Sequence, residues 1–550
     1  MKFRYFFVIA ICLVVLFSAS CNKKCGNNHS DDDDDELKEL LKDEEGATTF
    51  RVYFNYMDGS EYKMVNVNLN KLAARPNNPT RNGYKFIGWY EDKNGVTVYD
   101  FSTPITKSIM LYAIWEEVPY VDETSVLNEL VPDVVSDDIN LPTRHPNNDD
   151  IRLAWTTSNP RTISPTGIVI PGYEKEIVTV TMEVIYEDYS NTFSKDVEVE
   201  PVSFNRLQPQ RTIFGYYASY NFTGYTEEQL KCNVINLSFA YVNADFSLDM
   251  RSLNDSVLYG ALAARKQGVR VVLSIQGYGD SSKNFSNAAS SEKNRAIFIN
   301  NIVEVVEKYH FDGIDLDWEY PGWFTPSKKD SEAEEYNALC KELNEALKAK
   351  NPAYLLTAAI PGGAEGYKRY DLKECSKYLD FIHIMTYDLE ASSKVYHHAA
   401  VYSNLGKATA TNAAAADSVE LFTLSGAPIE KLVIGIAFYG KWTKPSKTTD
   451  GGLGSDSANG KYTTLTYYTI KNFYLNRVGN GVTEYWDSTC CAPYLYDADN
   501  NYFITYENER SIKEKAKFVR QNSLAGVMIW ELGEDSDERD LMKAVLDAVR

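Results

Sequence analysis

Residues 311–322 read FDGIDLDWEYPG, and four carboxylates fall within an otherwise apolar run: Asp312, Asp315, Asp317 and Glu319, interleaved with Gly313, Ile314, Leu316 and Trp318. A buried carboxylate is destabilising unless it is paired or protonated. The alternation resolves the conflict. Successive strand side chains point to opposite sides, so Asp315, Asp317 and Glu319 share one face while Ile314, Leu316 and Trp318 share the other. Same-face neighbours sit roughly 6 to 7 Å apart, close enough for each charge to oppose ionisation of the next. Glu319, last in the row, is the group to be held protonated as a general acid. Asp312 has the opposite parity and receives no chemical role. A self-neutralising or metal-binding acid cluster is the rival reading, but no His or Cys joins the strand. No metal and no cofactor are therefore expected.

Working outward, apolar strands alternate with amphipathic helices from about residue 208. The strands are IFGYY (213–217), NVINLSFAYV (233–242), VRVVLSI (269–275), FDGIDLDW (311–318), YLLTAAI (354–360), DFIHIMTYD (380–388), KLVIGIAFYG (431–440) and LAGVMIWE (524–531). Segments such as FINNIVEVVEKYH and YNALCKELNEALKAK between them read as helices. Eight such units predict an α/β chain with a closed (β/α)8 TIM barrel. No glycine-rich phosphate loop opens the first helix, which argues against an open doubly wound sheet. In a barrel the acids line the interior and rise toward the C-terminal mouth, where catalytic groups sit. Residues 441–507 interrupt the pattern after strand seven. Their alternating aromatics and turn signals (YTTLTYYTIKNFYL, VTEYWD, APYLYDADN) predict a small inserted α+β domain walling the cleft.

Two small β-rich modules precede the barrel. In the first, 48–117, FRVYFNY and YKMVNVNL flank the turn MDGS, followed by GYKFIGWY and LYAIW. These phrases resemble the internalin-type B repeat, also called the Listeria–Bacteroides repeat, a β-grasp-like module. In the second, 118–203, LAWTTSNPRTISPTGIVI and the alternating VTVTMEVIYED suggest about seven short strands. That region resembles a bacterial immunoglobulin-like sandwich. Trp89, Trp115 and Trp155 are expected in the cores of these modules.

The first 20 residues have a basic start, the apolar stretch YFFVIAICLVVLF and the small residues SAS before Cys21. They resemble a bacterial lipoprotein signal with lipidation at Cys21, although Ser18 stands where such signals usually carry Leu. Ordinary cleavage or an uncleaved anchor therefore stays open. Residues 21–47 form an acidic linker. Export is expected, with the chain tethered at a membrane or cell surface, or else secreted. Membrane contact is expected only through the N-terminal anchor. The net charge of −21 argues against a nucleic-acid partner. The 8 cysteines are too scattered for a disulfide framework or a zinc pattern. A monomer is expected.

FDGIDLDWEYPG is similar to the D-x-x-D-x-D-x-E signature of family 18 glycoside hydrolases, the chitinases and their relatives, and every signature acid is present. IFGYY, NLSFAYV, MTYD (385–388) and VMIWE stand in the family's order. One departure is SIQG on strand three, where Gln276 replaces a glycine of the family's S-x-G-G. The resemblance implies hydrolysis assisted by the substrate's own 2-acetamido oxygen, a route outside the usual pair of carboxylates. Glu319 would protonate the leaving oxygen, Asp317 would bond the acetamido N–H, and Asp315 would share charge behind it. Tyr387 would hold the acetamido carbonyl, and Trp530 would floor the sugar pocket. Tyr216, Phe239, Tyr320, Met385 and Asp388 would complete the wall, with Gly277 and Tyr278 beside the cleft. The implied partner is chitin or N-acetylglucosamine oligosaccharides. An endo-β-N-acetylglucosaminidase acting on N-glycans and a non-catalytic lectin are the alternatives.

Overall fold

The computed structural model describes residues 37–550, apart from 82, 118–122, 188, 324–328, 391–392 and 404–412. The leader, Cys21 and most of the acidic linker lie outside the described residues. The chain divides into two compact units, one holding residues up to Asp122 together with Ile185–Asn191, the other holding the remainder.

In the first unit, β1 (Thr49–Asn55), β2 (Lys63–Asn68), β3 (Tyr84–Tyr90) and β4 (Ile109–Glu117) form one sheet in the order β2-β1-β4-β3. The alternation in TFRVYFN sends Phe50, Val52 and Phe54 into the core. Trp89 meets Phe54 edge to face at 5.0 Å, and Trp115 donates its indole N–H to the Tyr56 carbonyl at 2.7 Å. Both tryptophans belong to the packed interior.

The second unit contains the barrel. Its strands are β10 (Thr212–Ala218), β11 (Val234–Val242), β13 (Arg270–Gly277), β14 (Gly313–Trp318), β15 (Leu355–Pro361), β16 (Phe381–Met385), β17 (Leu432–Ala437) and β23 (Gly526–Trp530). The short β12 (Leu248–Asp249) hangs antiparallel on β11. All eight barrel strands pair in parallel, and β10 closes the ring by pairing with both β11 and β23. Ile314, Leu316 and Trp318 face the helical shell: the Trp318 ring stacks on Phe285 at 5.1 Å and donates to Ser282 Oγ at 2.9 Å. The apolar half of the 311–322 pattern is thus the barrel's outer core.

The run predicted as one strand over 431–440 breaks at Phe438. Its second part, β18 (Tyr439–Thr443), leaves the barrel and pairs with β19 (Thr463–Thr466) and β22 (Tyr502–Thr505). With β20 (Val482–Asp487) and β21 (Ala492–Asp497) these make a five-stranded sheet in the order β19-β18-β22-β21-β20. The helix Tyr467–Phe473 completes an inserted α+β domain where one was expected.

The 118–203 region departs from a two-sheet sandwich. Its strands β5 (Val134–Val135), β6 (Arg144–His145), β7 (Asn148–Thr157), β8 (Glu176–Tyr186) and β9 (Tyr189–Val199) form a single sheet ordered β5-β9-β8-β7-β6, preceded by the helix Glu123–Leu130. Among the described residues, the stretch SNPRTISPTGIVI contributes only an isolated bridge, Ile163 to Val169, because its prolines and turn residues interrupt ladder bonding. Trp155 is buried as expected and donates to the Pro142 carbonyl at 2.8 Å.

This sheet's loops close the N-terminal end of the barrel. Ile170 is part of the barrel's own core cluster. Arg265, wholly buried, holds Asp312 and also donates to the Pro171 carbonyl. Tyr173 packs edge to face on Tyr354 at 5.4 Å, just before β15. The module covers the base, opposite the end where the acids emerge.

Candidate active site

At the C-terminal end of the barrel, Asp315, Asp317 and Glu319 rise in order along and just beyond β14. Asp315 is fully buried at the bottom and saturated with donors: Tyr216 Oη and Ser274 Oγ each reach Oδ2 at 2.8 Å, and Thr357 Oγ1 reaches Oδ1 at 2.6 Å. Ser274 of β13 and Thr357 of β15 are the ladder partners of Asp315 on either side, while closure of the barrel brings in Tyr216 from β10. The Tyr216 oxygen also lies 2.8 Å from His383 Nδ1. With the tyrosine proton directed at Asp315, that ring nitrogen is the donor to the phenol oxygen. Burial pushes the His383 pKa down to about 4, against the pull of Asp315, so the imidazole is neutral.

One level higher, Asp317 is almost completely buried, and its Oδ1 finds no donor among the described residues. Burial first, then the charges of Glu319 and Asp315, hold its pKa well above the ordinary carboxylate range. Glu319 is raised as well, chiefly by burial and further by the charge of Asp388, while a hydrogen bond with Tyr320 opposes the shift. The two carboxyls titrate as a coupled pair, so one proton is retained beyond the usual carboxylate pH. A buried acid that keeps its proton at the mouth of a barrel is a general acid in waiting.

These groups open into a cavity of about 550 Å3. Of the residues singled out in the sequence, Asp317, Glu319, Tyr216, Tyr320, Met385, Tyr387, Asp388 and Trp530 line it. Trp530 forms the apolar side and stacks on Phe239 behind it, rings 5.6 Å apart. Three expected wall residues do not reach the lining. Phe239 is buried and acts as backing for Trp530. Gly277 serves packing: a Cβ there would come within 2.8 Å of Phe285 and 2.9 Å of Trp318, and its carbonyl accepts from the Glu319 amide at 2.8 Å. Tyr278 is two-thirds exposed, at 67%, and lies outside the cavity. Parity along a strand separates inward from outward residues, but it does not resolve which inward residue ends up behind another.

Tyr387 packs against Gly435, where any Cβ would approach its ring to 2.6 Å, and its hydroxyl points to Met528 Sδ at 3.6 Å. Asp388, with the left-handed φ of 57°, turns its carboxylate onto Lys441 Nζ at 2.7 Å and accepts from Tyr439 Oη at 2.5 Å. Burial would raise its pKa, but His398 and Lys441 outweigh that and hold it far below the usual range. Asp388 is therefore a fixed negative charge facing Glu319.

Tyr439, Trp323, Gln276 and the loop Pro361–Gly366 also line the cavity, and site reading of the sequence missed them except for Gln276. The GG pair at 362–363 after β15 was the available signal for the loop. Of the inserted segment 441–507, no residue is part of this lining, so the expected wall of insertion-domain aromatics is not formed at the acids themselves. The insertion instead acts through Lys441, which fixes Asp388 and Glu390, each at 2.7 Å. Three non-proline cis peptides occur here: Ser238–Phe239 in the middle of β11, at its register shift, Glu319–Tyr320 just past the end of β14, and Trp530–Glu531 at the end of β23.

Comparison with known proteins agrees with this geometry. The model of the Listeria-Bacteroides repeat domain matches residues 50–114. Chitinase A1 of Niallia circulans is 31% identical over 293 residues, covering 49% of this chain and 41% of that protein. Chitinase B of Serratia marcescens is 28% identical over 379 residues, covering 56% and 74%. The chain thus spans less than half the length of the first of these relatives. A solved family 18 N-acetylglucosaminidase from Paenibacillus barengoltzii superposes with a TM-score of 0.56 at 31% identity, over 62% of this chain and 99% of that one. The model of glycosyl hydrolases family 18 matches residues 212–535, the whole barrel and more than half of the chain. With that match laid over a closed barrel whose β14 carries the buried acid row, the chain belongs to glycosyl hydrolase family 18.

Proposed function

We propose that the protein hydrolyses β-1,4-linked N-acetylglucosamine polymers or oligomers with retention, using the substrate's acetamido group as nucleophile. The observation that carries this is the graded burial of Asp315, Asp317 and Glu319 beneath one cavity that also holds Tyr387 and Trp530. Glu319 gives its proton to the leaving oxygen. The acetamido oxygen attacks the anomeric carbon, and Asp317, whose Oδ1 has no donor of its own, accepts the acetamido N–H. Developing positive charge on the cyclic intermediate is offset by Asp317, backed by Asp315 and its three donors. Glu319 then withdraws a proton from water, which opens the ring intermediate and restores the acid. Trp530 presents an indole face to the sugar's C–H surface.

A protein nucleophile is disfavoured by the geometry. Asp317 and Glu319 stand on one strand face, whereas a double displacement needs its second carboxylate across the sugar. Of the other acids lining the cavity, Asp388 is committed to Lys441 and Tyr439, and Glu365 is paired with Lys368.

Export and an N-terminal lipid anchor at Cys21 remain part of this proposal on the strength of residues 1–21 alone. No helix among the described residues is long and apolar enough to cross a membrane.

The deciding experiment is product analysis on chitin hexamer, cellohexaose, fully deacetylated chitosan oligomer and a high-mannose glycoprotein. Cleavage of the chitin oligomer alone is expected. Brisk cleavage of the unacetylated sugars would mean a protein nucleophile, and efficient release of N-glycans would favour the endoglycosidase.

A further inference from the structure

We propose that Gln276 is a substrate-contacting residue that sets specificity for the sugar seated against Asp317, an inference that rests on the function proposed above. In the strand ladder Gln276 pairs with Tyr241 of β11 on one side and with Asp317 of β14 on the other. Residues paired across parallel strands face the same way, so the Gln276 side chain points inward at the level of Asp317. The preceding inward position of β13 shows what this ladder does. Ser274 pairs with Asp315 and gives its hydroxyl to that carboxylate at 2.8 Å. Gln276 is the next rung.

Its carboxamide behaves differently from the serine below it. Gln276 lines the cavity, is half-buried, and makes no side-chain hydrogen bond among the described residues; only its main-chain carbonyl is engaged, by Ser281 Oγ at 2.8 Å. An amide carries two donors and an acceptor that remain available in the cleft. It also cannot titrate, so it adds recognition beside two coupled acids without adding a third charge to their balance. A solvated surface amide would satisfy the same atoms with water, but this one stands inside the cavity beside the group that binds the reacting acetamido N–H. The ligand chemistry it fits is a neutral sugar with a hydroxyl or acetamido group at that wall. Its bulk, where a smaller side chain would leave the corner open, narrows the cleft for an unbranched chain.

The test compares wild type with Gln276→Leu, Gln276→Ala and Gln276→Glu on N-acetylglucosamine tetramer to hexamer, with melting temperature and pH profile recorded for each. Gln276→Leu keeps the reach and loses the polar atoms. It is expected to lower kcat/KM about tenfold, mostly through KM, with melting temperature and pH limbs unchanged. Gln276→Ala should weaken binding similarly. Gln276→Glu should move the alkaline limb upward, because its charge raises the pKa of the neighbouring pair. Leucine and alanine variants both within twofold of wild type on every oligomer would overturn the inference. A loss of activity that tracks a fall in melting temperature in both would also overturn it, since that would make Gln276 a packing residue. If wild type cleaves no N-acetylglucosamine oligomer, the functional reading itself fails, an outcome distinct from an active enzyme indifferent to residue 276.

Discussion

Arg265 and Asp312 form an ion pair of 3.0 Å in which both side chains are wholly buried, at the end of the barrel opposite the catalytic acids. The same carboxylate accepts the Val271 amide at 2.8 Å, and the guanidinium also holds the Pro171 carbonyl of the preceding module. The first acid of the 311–322 stretch is thus structural, joining β13, β14 and the base module. Burial pushes the Asp312 pKa up while Arg265 pulls it back.

Removing one partner leaves the other charge buried without compensation, which destabilises proteins by roughly 3 to 5 kcal/mol. Arg265→Met is therefore expected to lower the unfolding free energy by about that much. KM on chitin oligomers should stay unchanged wherever the variant is folded. Denaturant titration with enzyme assays on the same samples checks both parts. A loss under about 1 kcal/mol would show that Asp312 is neutralised some other way.

Glu319→Gln keeps the shape of the side chain and deletes the transferable proton. Hydrolysis should fall by at least roughly a thousandfold, within the usual range for removing a general acid that also acts as base. Binding of an oligomer by calorimetry should survive. Near wild-type turnover in this variant would remove Glu319 from the mechanism.

Activity should decline on the alkaline side as the Asp317–Glu319 pair loses its retained proton. That limb is expected above the ordinary carboxylate range, because burial raises Glu319 and the Asp388 charge raises it further. Replacing Asp388 by Asn removes a negative neighbour, so the Glu319 pKa should fall and the limb should move to lower pH. A pH profile of kcat for both proteins reads the shift directly. An upward movement would contradict the electrostatic sign.

Acid stability offers a separate test at the base. Burial, aided by the Arg265 charge and opposed by Glu176, pushes His310 down to about 4, and its Nε2 lies 2.9 Å from Thr162 Oγ1. The unfolded chain binds this proton near the ordinary histidine pKa of about 6.5, while the fold resists it. The stability contribution is therefore complete above pH about 6.5 and is lost as pH falls through the window down to about 4. His310→Asn should flatten the slope of unfolding free energy against pH in that window. Asn is the appropriate replacement because residue 310 has the left-handed φ of 57°, which Asn tolerates. An unchanged slope would mean that His310 is accessible to protons in the fold.

The sequence alone determined the barrel, because eight apolar strands spaced by amphipathic helices leave few other ways to bury their surface. It also determined that Asp315, Asp317 and Glu319 face one way, since strand parity is a local property. Tertiary structure decided the rest. Asp315 is saturated by Ser274 and Thr357, its partners on the two flanking strands, and by Tyr216 from β10, which only ring closure brings to it. Phe239 lies behind Trp530, and Asp388 is held by Lys441 from an inserted sheet, neither of which any periodicity encodes. The single sheet of the second module likewise depended on where Ile170 found burial, in the barrel's core rather than in a sandwich of its own. Period and parity are written in neighbouring residues, whereas hydrogen-bond partners and depth depend on segments far apart in the sequence, and those only the folded chain brings together.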